Sequence, residues 1–536
     1  MSAGQKIITT LHERRRIEAD LRDMLTSTSD ADSRRRAQRI AAQGFQVIPA
    51  IVGSLTAASR TDARPLEALG MVASCLDRDE IVQALRQVVL EPGHTDQSRI
   101  GAMTILERFL GQEPDDELLA ILSNAEEVVL SSLEEVLARG EQDPSALVEY
   151  VQGLDRQEPD VALAVIETLQ AIGDRRAVDL LRMMAQDVRE EIAAKALQAL
   201  AGLRLPEAAF ALQTLIPATA PDLRALAERS LRKLQFAGVA LKAMLPPDYR
   251  DGSGTPQEWR ALISPVDGLG RQSVWFLGGS RAAEQVKFLN VLLSDRAGAV
   301  EAVGHRQVPV LMLPPRREPG YVHDIPVTGD PGLSETYGTR MLLMLEASFD
   351  LGRRLVLEAL ARNRETQIPV AGPLRLYSTW LWEVSGADAL PPKQLPQLSA
   401  DDEALSAASG RLLDAAHPAF SAWRLQGEQV LQAAQEMSQL SDWGLEAWVT
   451  RLAAELFSEP IVAQVFSRRL ETMSEWLLLA GDEGEARLAL AAARRFADGA
   501  PQDHPLIRAM VRRALETALS DLDQEVHQAF EAENPV

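Results

Sequence analysis

Val165-Ile166-Glu167-Thr168-Leu169-Gln170-Ala171-Ile172-Gly173-Asp174-Arg175-Arg176-Ala177-Val178-Asp179-Leu180-Leu181-Arg182-Met183-Met184 holds two apolar stripes separated by one stop. Val165, Ile166, Leu169 and Ile172 fall at i, i+1, i+4 and i+7, one face of a helix. Gly173-Asp174 ends that helix, since glycine closes a C-terminus and aspartate opens the next turn. Ala177, Val178, Leu181 and Met184 then form a second, shorter face. Working outward, the cycle restarts at Asp187 with Ile192, Ala193, Ala196, Leu197 and Leu200, punctuated by Gly202 and Pro206. It restarts again near Asp222 with Leu223, Leu226, Ala227, Leu231 and Leu234. Less regular copies precede it, at 66–75 with 80–90 and at 102–110 with 117–122. One such hairpin cannot bury its apolar surface alone, so neighbours stack to make a continuous core. Ala193, Ala194 and Ala196 allow the close approach this needs.

The run 166–178 resembles the repeat of HEAT proteins, in particular the short bacterial subtype also found in phycobilisome lyases. That subtype's Ile-Gly-Asp-x-Arg-Ala-Val is kept in Ile172-Gly173-Asp174, Arg176 and Ala177-Val178. The next unit departs from it, because Ala201-Gly202-Leu203-Arg204 has no aspartate after its glycine. The resemblance runs over about 61–240 and implies an α-solenoid, a fold that presents binding surfaces. It does not imply lyase chemistry.

The expected architecture is mainly α, in four parts. Residues 1–60 read as basic N-terminal helices, broken by Thr26-Ser27-Thr28-Ser29-Asp30. Residues 61–240 are the HEAT-like solenoid, 241–395 a small α+β module, and 396–536 a C-terminal helical domain. The module opens on the breaker-rich Pro246-Pro247 and Gly252-Ser253-Gly254. Strands at 262–266 and 273–277, joined by Asp267-Gly268-Leu269-Gly270, predict a β-hairpin. A helix is expected over 282–293, an edge strand over 308–313, a loop over 314–331 and a long helix over 339–363. In the last part, proline marks helix starts at Pro460 and Pro505, while Gly481-Asp482 and Gly499-Ala500-Pro501 are stops. Trp443, Trp448 and Trp476 are expected to anchor its core.

Composition narrows the function classes. The chain has 536 residues, 46% apolar and 25% charged, so it buries substantial cores. Its one cysteine, Cys75, excludes an intrachain disulfide and a multi-thiolate zinc site, and reads as a small apolar residue on a helix. No apolar run approaches the roughly 20 residues that cross a bilayer, and the first residues lack the apolar stretch of a signal peptide. A cytoplasmic location with no membrane partner is therefore expected. The net charge is −22, and residues 61–240 alone carry 17 basic and 31 acidic groups. Such a body repels a phosphate backbone, so nucleic acid is not an expected partner. Arg14-Arg15-Arg16 and Arg34-Arg35-Arg36 form the local exception and read as a solvated helix face.

The search for chemistry yields no catalytic residues, no metal ligands and no cofactor. No two histidines share the i, i+4 spacing of helix ligands, so a metal site would assemble from distant segments such as His305, His323, Asp324 and Asp330. Gly278, Gly279 and Ser280, between an expected strand and an expected helix, form a candidate anion turn without the endings of a phosphate-binding loop. Asp267-Gly268-Leu269-Gly270 offers a single carboxylate, too few for calcium. The expected function is a non-enzymatic scaffold that binds proteins with a basic surface, through the non-core positions Arg175, Arg176, Glu190, Glu191, Arg224 and Glu228. The alternatives are a small-molecule or catalytic α+β module that uses the solenoid as adaptor, and tetrapyrrole handling.

Overall fold

A computed structural model describes residues 17, 20–21, 30–57, 63–91, 94, 96–112, 125–245, 257–280, 284–327, 340–386, 390–398, 405, 407–414, 417–423, 425, 427–439, 444–498 and 501–533. The chain is mainly helical and divides into two compact units, Met1–Ile172 and Gly173–Val536.

The first unit contains α1 (Asp30–Ala41), α2 (Ile48–Ala57), α3 (Ala63–Ala73), α4 (Arg78–Leu90), α5 (Asp96–Arg108), α6 (Ala125–Gln142), α7 (Ser145–Leu154) and α8 (Pro159–Ile172). Asp77 caps α4, its carboxylate accepting from the amides of Asp79 and Glu80. The apolar stripes Ile81, Leu85, Val88 of α4 and Ala102, Ile105, Leu106 of α5 meet in one core with Leu69 and Val72 of α3. Further along, α6 packs on α7 and α8. Cys75 differs from expectation: it lies in the turn after α3 and is exposed. The expected helix pieces at 117–122, the break at 26–29 and Arg14–Arg16 lie outside the described residues.

The second unit opens with four short helices, α9 (Arg176–Met184), α10 (Glu190–Leu203), α11 (Pro206–Leu215) and α12 (Pro221–Phe236). Helix α10 packs on α9, α11 and α12, and α11 on α9 and α12, so each helix touches both its neighbour and the next but one. The stop after α10 is not Gly202, which stays helical, but Arg204, held in the left-handed region at φ 53°. Pro206 then starts α11, where its missing N–H costs nothing.

A six-stranded antiparallel sheet follows, with spatial order β4-β3-β2-β1-β6-β5. Its strands are β1 (Gln257–Ile263), β2 (Arg271–Ser280), β3 (Gln285–Ser294), β4 (Gly298–Pro309), β5 (Val322–Val327) and β6 (Arg340–Ala347). The β1–β2 hairpin forms at the expected turn, with Ile263 opposite Val274. Four expectations are corrected. Residues 282–293 were expected to be helical, but β3 occupies them, because Phe288, Leu292 on one face and Leu289, Val291, Leu293 on the other make the segment apolar on both sides. Such a run fits either period. Residues 339–363 are not one helix: β6 ends at Ala347, and Ser348 caps a new helix, α13 (Phe349–Thr366), by accepting from the Leu351 amide at 3.2 Å. Of the strand expected at 308–313, only Val308 and Pro309 belong to β4, with 310–312 a 3-10 turn; β4 is nonetheless a sheet edge, where Pro309 is tolerated. The expected loop 314–331 contains β5, the other edge, which carries Pro326.

Helix α13 packs across β1–β4, and Gly352 lets it approach Phe276 and Ala261. Asn363 on α13 is fully buried; it accepts from the Ala299 amide at 2.8 Å and donates to the Ala297 carbonyl at 3.0 Å, clasping the β3–β4 turn. Gly298 in that turn has φ 83°, and a Cβ there would collide with Asn363. Two short helices, α14 (Gly372–Tyr377) and α15 (Thr379–Trp382), follow. The C-terminal helices are α16 (Arg411–Asp414), α17 (Glu428–Ser438), α18 (Leu445–Leu456), α19 (Pro460–Leu479), α20 (Glu483–Asp498) and α21 (Pro505–Glu533), with Pro460 and Pro505 at the expected starts. They share one apolar core with the sheet and with Val188 ahead of α10. Trp476 donates to the Ile263 carbonyl at 2.9 Å and Trp423 to the Val266 carbonyl at 2.7 Å. Arg469 on α19 grips the β1–β2 turn through the carbonyls of Gly268 and Leu269 and pairs with Asp295. Trp476 is a core anchor as expected and Trp448 is half-buried beside the same core, while Trp443 lies outside the described residues.

Candidate functional site

The turns of the short helices are pinned by an aspartate two residues ahead of an arginine. Gly173 takes φ 68°, and Asp174 accepts the Arg176 amide at 2.8 Å and its guanidinium at 2.6 and 2.8 Å. Those bonds hold the Asp174 carboxyl below the usual carboxylate range. Asp187 does the same to Arg189, with 2.9 Å to the amide and 2.8 Å to the guanidinium. The device therefore recurs after α9, thirteen residues on, and not after α10, where a second Gly-Asp would have been sought.

The candidate contact residues lie around these turns and helix starts. Arg175 is exposed in the turn before α9, and Arg176 is held by Asp174. Glu190 and Glu191 face solvent in the first turn of α10, where negative charge complements the helix dipole. Arg224 is exposed in the first turn of α12, and Glu228, half-buried, lies 3.8 Å from Arg232. The starts of α10 and α12 both line a cavity of ≈ 390 Å³, so Glu190 and Asp222 lie at the same end of the helix row.

Another side of these helices is occupied. Arg182 on α9 is 3% exposed and donates to the carbonyls of Arg375 (2.9 Å) and Leu376 (2.8 Å), to the Ser378 hydroxyl, and to Asp179. Gln186 adds a 2.9 Å bond to the Arg375 carbonyl. α9 is thereby fastened to α14, and α11 packs on α15. Sequence reasoning missed Arg182: an arginine on an amphipathic helix reads as solvated, and its acceptors lie nearly two hundred residues away.

The other candidates change character. Gly278, Gly279 and Ser280 lie inside β2, opposite Trp259, Glu258 and Gln257, so no helix N-terminus follows them. The premise of an anion turn is corrected because β3, not a helix, comes next. Gly279 and Ser280 do border a cleft of ≈ 420 Å³ with Arg260, Arg316 and Arg317. Arg260 is spent on Glu346 (2.8 and 3.0 Å), which also bonds His323 at 3.0 Å, and Arg316 pairs with Glu258. His305 and His323 sit on β4 and β5, the two opposite edges of the sheet and so roughly 24 Å apart at ~4.8 Å per strand; Asp330 lies outside the described residues. Among the described residues no cluster of three His, Cys, Asp or Glu is placed to hold a metal ion. Asp267 bonds the amides of Leu269 and Arg271 and pairs with Arg271, a turn function.

Residues 147–232 match HEAT repeats, a stretch that runs across the division between the two units. No curated protein and no solved structure matches the chain. Among the described residues no helix is long and apolar enough to cross a membrane.

Proposed function

We propose that this protein is a non-catalytic cytoplasmic scaffold whose helical hairpins stack as an α-solenoid and bind protein partners. The observation that carries the reading is the HEAT match over 147–232, a repeat class that commonly mediates protein–protein interaction. The solvent-facing Arg175, Glu190, Glu191 and Arg224 support a contact surface along the starts of α10 and α12. A partner with a basic face is favoured by residues 61–172, which carry 7 basic and 23 acidic groups; electrostatic steering by them weakens with salt. Residues 173–240 carry 10 basic and 8 acidic groups, so contacts there are mixed in sign.

Affinity capture from cell lysate with the wild-type chain and with a Glu190→Lys/Glu191→Lys variant tests this. The reading expects a partner held at low salt, released at high salt and lost from the variant. A variant that captures the same proteins as wild type, or a wild type that captures none, defeats it. Ligand binding by the sheet region is a second reading, favoured by the arginine-lined cleft at Gly279 and Ser280. A thermal-shift panel of nucleotides, sugar phosphates and divalent metals checks it, silence reducing the sheet to a structural element. Tetrapyrrole handling rests on the repeat subtype alone and is removed if the purified protein takes up no bilin.

A further inference from the structure

The ≈ 390 Å³ cavity beside Glu190 lies within the second unit, between the starts of α10 and α12 and the C-terminal turn of α13. Its size falls inside the range of about 300–1,000 Å³ usual for small-molecule sites. The walls are largely aliphatic, with Leu215, Leu223, Leu360 and Val370 among them. Among the described residues a single cation lines it, Arg364 of α13. Among the described residues its guanidinium makes one hydrogen bond, a long 3.4 Å contact to the Ala218 carbonyl. Arg364 is thus a planar, permanently charged fork with most of its donors uncommitted. Arg364 is half-buried, and burial pushes its pKa below the usual guanidinium range, against a smaller opposing pull from the neighbouring Glu365 carboxylate.

Three carboxylates also line the cavity, and among the described residues no ion pair joins any of them to Arg364. Asp187 is already committed to Arg189. Glu190 and Asp222 stand at the first turns of α10 and α12, while Arg364 comes from α13 and reaches the Ala218 carbonyl just ahead of α12. A purely anionic ligand would meet those two acids, and a purely cationic one would meet Arg364. An aliphatic ligand that carries a carboxylate and an ammonium side by side matches Arg364, the two acids and the apolar walls together.

We propose that this cavity binds a small dipolar aliphatic ligand, its carboxylate forked on Arg364 and its nitrogen turned toward Glu190 and Asp222. A free amino acid of the leucine type has this chemistry; the C-terminal leucine of a peptide keeps the carboxylate and the side chain but offers a neutral amide N–H in place of the ammonium. The proposal does not depend on the scaffold reading, since the site is complete within one chain.

Isothermal titration of the full-length protein tests it, with L-leucine, 4-methylpentanoate, 3-methylbutylamine, and N-acetyl-lysyl-leucine as free acid and as amide. Binding is expected for leucine, more weakly for 4-methylpentanoate, and not for the amine or the peptide amide. Free leucine binding more tightly than the peptide acid assigns the free amino acid as the source; the reverse assigns a peptide C-terminus. Arg364→Gln is expected to raise the Kd at least about tenfold, and Arg364→Lys, which keeps the charge, to retain measurable binding, with far-UV circular dichroism confirming both folds. No heat from any carboxylate, an amine that binds as well as leucine, or wild-type affinity in a folded Arg364→Gln protein overturns the proposal.

Discussion

The helices at 63–172 and those at 176–236 are written in the same hairpin pattern, yet they are used differently. The earlier set is strongly acidic, and its first helices close a core of their own around Leu69, Leu85 and Ile105. The later set is nearly balanced in charge and is fastened by Arg182 and Gln186 to the backbone of α14, beside a core that runs on through the sheet to α21. Apolar periodicity makes the helices in both. What they belong to is decided by a few buried polar side chains, because carbonyls such as those of Arg375 and Leu376 need donors wherever water is excluded.

The largest expected effect probes that fastening. Arg182→Met removes the side-chain donor to the Leu376 carbonyl and one of the donors to the Arg375 carbonyl, and should destabilise the second unit by roughly 3 kcal/mol, read as a lowered urea midpoint. A loss under about 1 kcal/mol would mean the later helices are as self-sufficient as the earlier ones. A second effect belongs to the second unit alone. His504 is buried against Phe496, bonds the Ala492 carbonyl at 3.0 Å, and burial lowers its pKa to about 4. The unfolded chain therefore takes up this proton first. The stability that neutral His504 contributes is intact above about pH 6.5, falls as the pH drops toward 4, and amounts to about 3 kcal/mol in all. His504→Phe should flatten that part of the stability–pH curve; an unchanged slope sinks the assignment.

A smaller contrast separates the two pinned turns. Asp187, whose side chain is 6% exposed, should cost about 1–2 kcal/mol as Asp187→Asn, whereas Asp174, 39% exposed, should cost under about 0.5 kcal/mol as Asp174→Asn. Equal costs would show that burial is not what distinguishes the turns. Glu190→Lys/Glu191→Lys reverses two charges that favour the start of α10 and should cost about 1 kcal/mol in thermal melts, small enough that lost partner capture by the folded variant reports contact and not unfolding.

Much of the fold was legible where chemistry is local. Gly173-Asp174, the Asp267–Gly270 hairpin turn and the prolines at 460 and 505 all mark real boundaries, since capping and turn formation depend on a few adjacent residues. β3 and β6 were not legible as strands, because a segment apolar on both faces loses the alternation in sequence that identifies a strand. The candidate surface was legible only as a set of polar positions. Arg182 and Arg364 were invisible as site residues, because their surroundings are assembled from segments far apart in the chain. The change in composition near residue 245 marks a change of secondary structure but no break in packing, since Val188 and the strands share one core.

The two indole bonds to the end of β1 carry a consequence for biosynthesis. Ile263 and Val266 leave the ribosome long before Trp423 and Trp476, their hydrogen-bond donors. The sheet therefore emerges with Arg469 and both tryptophans still untranslated, its hairpin turn ungripped and part of its apolar face wet. Completion of this unit waits for those later segments, and during that interval the nascent chain is a natural client for chaperones.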